Sequence, residues 1–498
     1  PNMPGSRETV DKQLELRKRH LAPSFSTHYK DPLLIREGKG TFLFDHRGHA
    51  FLDCVNNPAG VGHCHPAVVS AASDQVAKLN TNTRYVYPEL SEYAARLCAT
   101  LPPGLDVCFF VNSGSEANDL ALRICQHHTR QLDVVCVQGG YHGHTKSLVE
   151  ISPYKYEQAV DFTVPPTTHK VPAPYQYRSS PPNDGKALAG HVKDAVAEIE
   201  RAGRKPAAFF CEGALSCAGY IPLPKGYLTE AYSHVRAAGG LCVCDEVQSG
   251  FARAGCGKMW AFELEGVVPD LVTMGKPMGN GFPLAAVVTT RKIAEDFAGN
   301  GMEYFNTFGG GPLAMRVGAA VLDAIHQDSL LTHVDEVGSY LMAGLKGLQK
   351  RYSLIGDVRG LGLFIGVELV KDRATKEPAK LEALWICEAL RARGVLLNTD
   401  GIHGNVFKMK PPLCIGKGHV DLLIATLDEV LSIIPTSDKE LSSPVSEVPE
   451  ALARVSEAVK RHGVGAGPSW HGGGVGDIGK VFTFELKAGA PTVGLAGG

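Results

Sequence analysis

The sequence predicts an α/β protein: a mostly parallel, buried sheet with crossover helices, followed by a smaller α+β region. Two patterns carry this. Val107-Cys-Phe-Phe-Val111, Val134-Val-Cys-Val137, Ala207-Ala-Phe-Phe-Cys211 and Leu241-Cys-Val-Cys244 are short apolar runs bounded by turn residues and separated by stretches of helical period. Runs without polar alternation suit strands covered on both faces, and strand–helix alternation suits parallel crossovers. The second pattern begins past a helix near 312–328. Residues 330–352 read as helix, Gly362-Leu-Phe-Ile-Gly-Val-Glu-Leu369 as a strand, and 378–393 and 418–434 as further helices.

The other elements follow in order. Residues 8–20 read as a short polar helix. Thr41-Phe-Leu-Phe-Asp45 and His49-Ala-Phe-Leu-Asp53 alternate in hydropathy about Arg47-Gly48, which predicts a hairpin. The α/β pattern starts near residue 67. Pro435 to Glu447 is a Ser/Pro/Glu linker, and 449–461 fits one amphipathic helix. Beyond His462 the sequence is Gly-rich and ends Leu-Ala-Gly-Gly. Such a segment buries too little apolar surface to order itself, so a tail ordered only where it docks is expected.

Composition excludes several function classes. A formal net charge of −2 argues against a broad basic surface for nucleic acid or anionic membrane. No apolar run approaches the roughly 20 residues needed to span a bilayer. Thirteen cysteines without framework spacing favour a reduced intracellular compartment, cytoplasmic or mitochondrial. The segment Asp11 to His20 is basic but also carries Glu15, a weak match to a transit-peptide remnant.

Three segments carry chemistry. Asn112-Ser-Gly-Ser-Glu-Ala-Asn118 lies between a strand and a helix, where small residues let backbone N–H groups approach a phosphate at the positive end of the helix. It also reads as an ordinary helix cap. Cys244-Asp-Glu-Val-Gln248 ends a strand, where ligands sit in open parallel sheets, and a carboxylate there can pair with a protonated pyridine nitrogen. The alternative is a surface pair capping a loop. Thr273-Met-Gly-Lys-Pro-Met-Gly-Asn-Gly281 places Lys276 in a Gly/Pro-framed turn rather than on a solvated helix, making it a candidate amine nucleophile. Other conspicuous residues have plainer readings. His63-Cys64-His65 fits a Gly/Pro turn better than a metal cluster. Cys242 and Cys244 alternate on a buried strand as small hydrophobes, and Gly356-Asp-Val-Arg-Gly-Leu-Gly362 lacks the strand–loop–helix context of a nucleotide loop.

Together these segments resemble the class III aminotransferases, a pyridoxal-5'-phosphate (PLP) family with the aspartate-aminotransferase-like fold. Gly62-His-Cys-His-Pro66, Asn112 to Asn118, Tyr141-His-Gly143, Asp245-Glu-Val-Gln248, Gly275-Lys-Pro-Met-Gly-Asn-Gly281 and Thr307-Phe-Gly-Gly310 fall in family order, and the resemblance covers about residues 12–434. It implies a large PLP-binding domain over 67–325. The small domain is built from 1–66 and 326–434, with 435–498 as linker and tail. It further implies that Lys276 is the Schiff-base lysine and proton shuttle, that Asp245 holds the ring nitrogen and that Gln248 binds the ring hydroxyl. Tyr141, also a candidate catalytic residue, and Val247 flank the ring, and His142 is a further cofactor contact. Gly114 and Ser115 hold the phosphate, and Glu212 lies near the substrate. Thr307 reaches the phosphate of a neighbouring subunit, so a homodimer is implied. No metal, nucleic acid or membrane partner is expected.

Within the family, the chain resembles most the ethanolamine-phosphate and 5-phosphohydroxy-L-lysine phospho-lyase branch. The resemblance rests on Leu79-Asn-Thr-Asn-Thr-Arg-Tyr85, Ile151-Ser-Pro-Tyr-Lys155, Gly301-Met-Glu-Tyr-Phe-Asn-Thr307 and Lys408-Met-Lys410-Pro411-Pro412. Transaminases of the family commonly carry a carboxylate-gripping arginine before such a Pro-Pro segment; here Lys408 stands there. The branch implies phosphate elimination from a small phosphorylated amine or amino acid, with Arg84, Lys408 and Lys410 as candidate substrate cations. Transamination of an ω-amino acid is the alternative, and Lys276 argues against an idle PLP-binding protein. Gly311, Pro58-Ala-Gly60 and Phe282 depart from residues more usual in the branch.

Overall fold

The computed structural model describes residues 7–180 and 183–471. Its centre is a seven-stranded sheet ordered Val107–Val111, Ala285–Thr289, Leu271–Met274, Leu241–Asp245, Pro206–Glu212, Asp133–Val137 and Thr168–Val171. Four of its six pairings are parallel. The four apolar runs singled out in the sequence all lie in it, and every residue of Leu241–Asp245 and Pro206–Glu212 is buried. This is the α/β class expected, with a mostly parallel large sheet.

One strand breaks the parallel order. Ala285–Thr289 runs antiparallel to both neighbours, Val107–Val111 and Leu271–Met274. Its connection from Met274 is only residues 275–284, too short for the dozen or more residues a parallel crossover requires. That return holds Lys276. The site is therefore built where the sheet changes direction.

Helices Gly114–Thr129, Gly185–Arg201, Tyr227–Ala237 and Pro312–Gln327 cover the sheet, each through a buried apolar face. Two smaller sheets lie outside it. Ile35–Lys39, Phe42–Asp45 and Ala50–Asp53 form antiparallel pairs, and the last takes Val395–Leu396 as a parallel neighbour. The predicted hairpin thus exists, and a strand from far along the chain completes its sheet. Ile355–Leu361, Phe364–Asp372, Val406–Met409 and Asn398–Asp400 form an antiparallel sheet that presents Lys408.

The segment expected to be linker and tail is packed as far as Trp470. Helix Pro449–His462 buries Ala451, Leu452, Val455 and Val459, with Leu452 against Phe51 and Leu396. The chain then crosses the N-terminal region. Val464 O accepts bonds from Thr41 N (2.7 Å) and Thr41 Oγ1 (3.1 Å), and Ala466 N donates to Cys414 O (2.6 Å). Trp470 meets the His65 ring edge-on at 5.2 Å. Composition undervalued this stretch because a few apolar side chains (Val464, Trp470) and backbone bonds to a preformed surface suffice to dock it. The remainder of the predicted tail lies outside the described residues.

Candidate active site

A cavity of about 340 Å³ opens at the carboxyl ends of the central strands. Its lining includes Pro58, Ser113, Gly114, Ser115, Tyr141, His142, Asp245, Val247, Gln248 and Lys276. The carboxyl ends of parallel strands are where open α/β sheets bind ligands.

Asp245 is the best-held side chain in it. It is buried, and its Oδ2 accepts from Asn118 Nδ2 (2.8 Å) and His142 Nδ1 (2.9 Å) while Oδ1 accepts from Val247 N (3.0 Å). Asn118 is fixed in turn, giving its second N–H to His142 O (2.8 Å) and accepting from Thr273 Oγ1 (2.6 Å). Helix, strand and loop thereby converge on one carboxylate. The role of Asn118 escaped the sequence reading; a buried asparagine one turn into a helix of otherwise apolar inner face was the available signal.

Glu212 lies beside Asp245 on the adjacent strand, in register with it. Its Oε1 accepts from Tyr141 N (3.2 Å), and its Oε2 from Ser216 N (2.9 Å) and the Ser216 hydroxyl. Burial, and then the nearby Asp245 charge, push its carboxyl above the ordinary value. Glu212 therefore stands behind Tyr141 and is not among the cavity-lining residues.

The N-terminus of helix Gly114–Thr129 borders the cavity, and its cap Ser113 accepts from Glu116 N (3.2 Å). First-turn amides have no intrahelical acceptor and point out along the axis. Ser115 Oγ accepts from His144 N (3.2 Å), which leaves its own O–H to donate. Gly114 is required by space: a Cβ there would lie 2.8 Å from Val247 Cγ1.

Lys276 opens the short helix Lys276–Gly279 at φ +36°, a left-handed conformation that costs a non-glycine residue about 1–2 kcal/mol. Its surroundings impose it. Pro277 packs so closely on Gly60 that a Cβ at Gly60 would lie 2.6 Å from Pro277 Cβ. Asn280 ties the turn to the same segment, accepting from Val61 N (3.0 Å) and donating to Gly62 O (2.9 Å).

Gln248 ends the wall. Its Oε1 accepts from Lys410 Nζ (2.8 Å) and Asn57 Nδ2 (3.2 Å), and neither contact was visible in the sequence. Lys408 pairs with Asp400 at 3.5 Å. Arg84 is exposed, paired with Glu303 at 3.2 Å and lying 4.0 Å over the Phe305 ring. Arg84 and the exposed Thr307 stand outside the cavity lining of their own chain. His63 and His65 turn to different carboxylates, Asp53 (2.7 Å) and Asp328 (3.2 Å).

Residues 25–431 match the family model for aminotransferase class-III. The chain belongs to the class-III aminotransferase family. It is 41% identical over 451 residues to a Drosophila melanogaster protein described as alanine–glyoxylate aminotransferase 2-like, covering 89% of this chain and 91% of the relative. It is 41% identical over 420 residues to an ethanolamine-phosphate phospho-lyase homolog of Caenorhabditis elegans, covering 81% and 89%. Among solved structures, an Arthrobacter phospholyase in complex with phosphoethanolamine superposes with a TM-score of 0.81 at 37% identity, covering 85% of this chain and all of that one. The class-III chain is a PLP-dependent enzyme.

The residues present fit that cofactor. A buried, triply bonded carboxylate suits a ring N–H, and a helix N-terminus with a free hydroxyl suits a phosphate. Tyr141 and Val247 line the same cavity, as side chains flanking a flat ring must. No helix among the described residues is long and apolar enough to cross a membrane.

Proposed function

We propose that this enzyme is a phospho-lyase that eliminates phosphate from a small phosphorylated amine, with phosphoethanolamine favoured and 5-phosphohydroxy-L-lysine next. The observation that carries the reading is Lys408, an ammonium group where a carboxylate-gripping transaminase needs a guanidinium fork; Lys410, expected from the sequence to meet the substrate as well, lies buried behind Gln248 and outside the cavity lining. Point charges suit a compact phosphate dianion better than a planar carboxylate. The Arthrobacter phospholyase with phosphoethanolamine and the Caenorhabditis homolog support the same reading.

Bound PLP supplies an electron sink that makes the C–H beside the substrate nitrogen acidic. The chain's own residues do the rest. Lys276 would hold the cofactor, and its Nζ would take the proton from that carbon. Asp245, oriented by Asn118 and His142, keeps the ring nitrogen protonated. Tyr141 and Val247 would flank the ring, Gln248 would donate to its hydroxyl oxygen, and Gly114 and Ser115 would hold the phosphate. Phosphate leaves from the neighbouring carbon with the C–O bond pair, and the released enamine takes up water to give acetaldehyde and ammonium. The partner subunit's Thr307 completes the phosphate site. The exposed Tyr85, Val86, Met302 and Phe308, which share segments with Arg84 and Thr307, support burial of that face in a homodimer.

Transamination is the second reading, favoured by the 41% identity to the fly aminotransferase-like protein. Purified enzyme is incubated with phosphoethanolamine and assayed for inorganic phosphate and acetaldehyde. Equal amounts of both are expected. No phosphate, together with conversion of bound PLP to pyridoxamine phosphate by β-alanine, refutes the lyase reading.

A further inference from the structure

Lys410 is buried behind Gln248 rather than open to the cavity, and this assigns it a different kind of work. The Gln248 carboxamide oxygen has two lone pairs, and two donors take them: Lys410 Nζ at 2.8 Å and Asn57 Nδ2 at 3.2 Å. Asn57 is locked as well, since the same Nδ2 lies 2.9 Å from the Gln248 backbone oxygen. Neither donor nitrogen accepts a bond, and Asn57 Oδ1 takes none from the Gln248 amide, so its NH2 is the end left for the cavity. Gln248 therefore offers a ligand a donor and recognises an acceptor oxygen.

The ammonium behind it is poorly compensated. Lys408 already takes the nearby Asp400 at 3.5 Å, and Lys410 lies 5.5 Å from the centre of the Tyr220 ring. Its charged neighbours are Lys276 and Lys408, which oppose its protonation, and Asp400, which favours it; the Cys217 thiol, pushed up to about 12 by burial, stays neutral. Arg253, buried nearby, bonds the carbonyl of the next residue, Pro411. Burial dominates and pushes the Lys410 ammonium down to about 7. A cation there acts on the site through one side chain, in surroundings where charge is weakly screened.

We infer that Lys410 is a positioning residue that, through Gln248, holds an N–H on the phenolic oxygen of bound PLP and thereby sets the proton affinity of the Lys276–cofactor linkage. The inference rests on the cofactor placement proposed above but not on whether the reaction is elimination or transamination. A cation and a directed donor on this side favour the anionic oxygen and oppose protonation of the linkage nitrogen. Without them the linkage holds its proton to higher pH.

The test is a pH titration of the visible absorbance of substrate-free holoenzyme. Wild type is compared with Lys410→Met, Lys410→Arg and Asn57→Ala, and borohydride fixation with peptide mapping locates the cofactor. The Met variant is expected to move the midpoint upward by roughly one to two pH units, the size expected of one charge about 7–12 Å away, across the Gln248 carboxamide, at an effective dielectric of about 20. The Arg variant, keeping donor and charge, is expected to restore most of it, and Asn57→Ala to give a smaller shift of the same sign. Coincident midpoints in wild type and the Met variant, with cofactor fixed on Lys276 in both, overturn the inference alone. So does a Met variant whose sole defect is weaker binding of inorganic phosphate, which would make Lys410 a phosphate ligand. A wild type with no cofactor fixed on Lys276 overturns this inference and the cofactor placement together. If the Met variant does not fold, the Asn57→Ala midpoint decides: no upward shift overturns the inference.

Discussion

Asn118→Ala removes a residue that touches no ligand in the proposed scheme, yet it should weaken cofactor binding more than many contact residues. Asn118 makes three side-chain hydrogen bonds in a fully buried setting: to Asp245 Oδ2 and His142 O at 2.8 Å each, and from Thr273 Oγ1 at 2.6 Å. A hydrogen bond to a charged group contributes about 1.5–3 kcal/mol, and a buried polar atom left without a partner costs about 1–3 kcal/mol. The buried Thr273 hydroxyl loses its acceptor, so an overall destabilisation of about 3–5 kcal/mol is expected. The cofactor feels only the part that orients Asp245. At about 1.4 kcal/mol per tenfold, roughly 1.5–3 kcal/mol corresponds to PLP affinity about ten- to a hundredfold weaker. The assay is titration of apoenzyme with PLP, followed by absorbance and tryptophan fluorescence, with circular dichroism checking the fold. A folded variant binding PLP within about twofold of wild type would refute the claim that Asn118 holds Asp245 for the ring nitrogen.

Two further predictions concern the frame around the site. Trp470→Ala removes a buried indole that lies against Gly62 and His65; large-to-small changes of this kind cost about 3–5 kcal/mol, enough to undock the segment after His462. Limited proteolysis with mass analysis should show faster cleavage between His462 and Trp470, and an unchanged rate would show that the backbone bonds to Thr41 and Cys414 suffice. Glu246 is fully buried, and burial pushes its carboxyl up to about 7 from about 4.5. Its folded-state value being raised, its stability contribution is complete below about 4.5 and is lost as pH rises towards 7. The urea midpoint should therefore fall between pH 5 and 7.5, and Glu246→Gln should flatten that slope while Glu212 and Glu368, also raised, retain part of it. Equal slopes in the two proteins would contradict the assignment.

Much of the large sheet was legible because its strands are continuous apolar runs, a pattern that depends only on burial. Ala285–Thr289 was missed: antiparallel insertion depends on the length of the return from Met274, not on composition. The docking of Val464 and Trp470 was underestimated for a related reason, since its acceptors and donors lie on Thr41 and Cys414, hundreds or dozens of residues away. In the site, Asp245 and Lys276 stood out because strand ends and Gly/Pro turns are local. Asn118, Asn57 and the Lys410–Gln248 bond did not, because each is defined by a partner on another element.

The sequence by itself determined the fold class, through its local apolar pattern, and the family, through the resemblance its motifs carry in chain order. Tertiary structure alone decided what stands behind and beside the site residues. It set Glu212 behind Tyr141, Asn118 beside Asp245 and Lys410 behind Gln248. The physical reason is that a buried polar group must find its partner in space, and the chain reaches that partner by folding rather than by sequence neighbourhood.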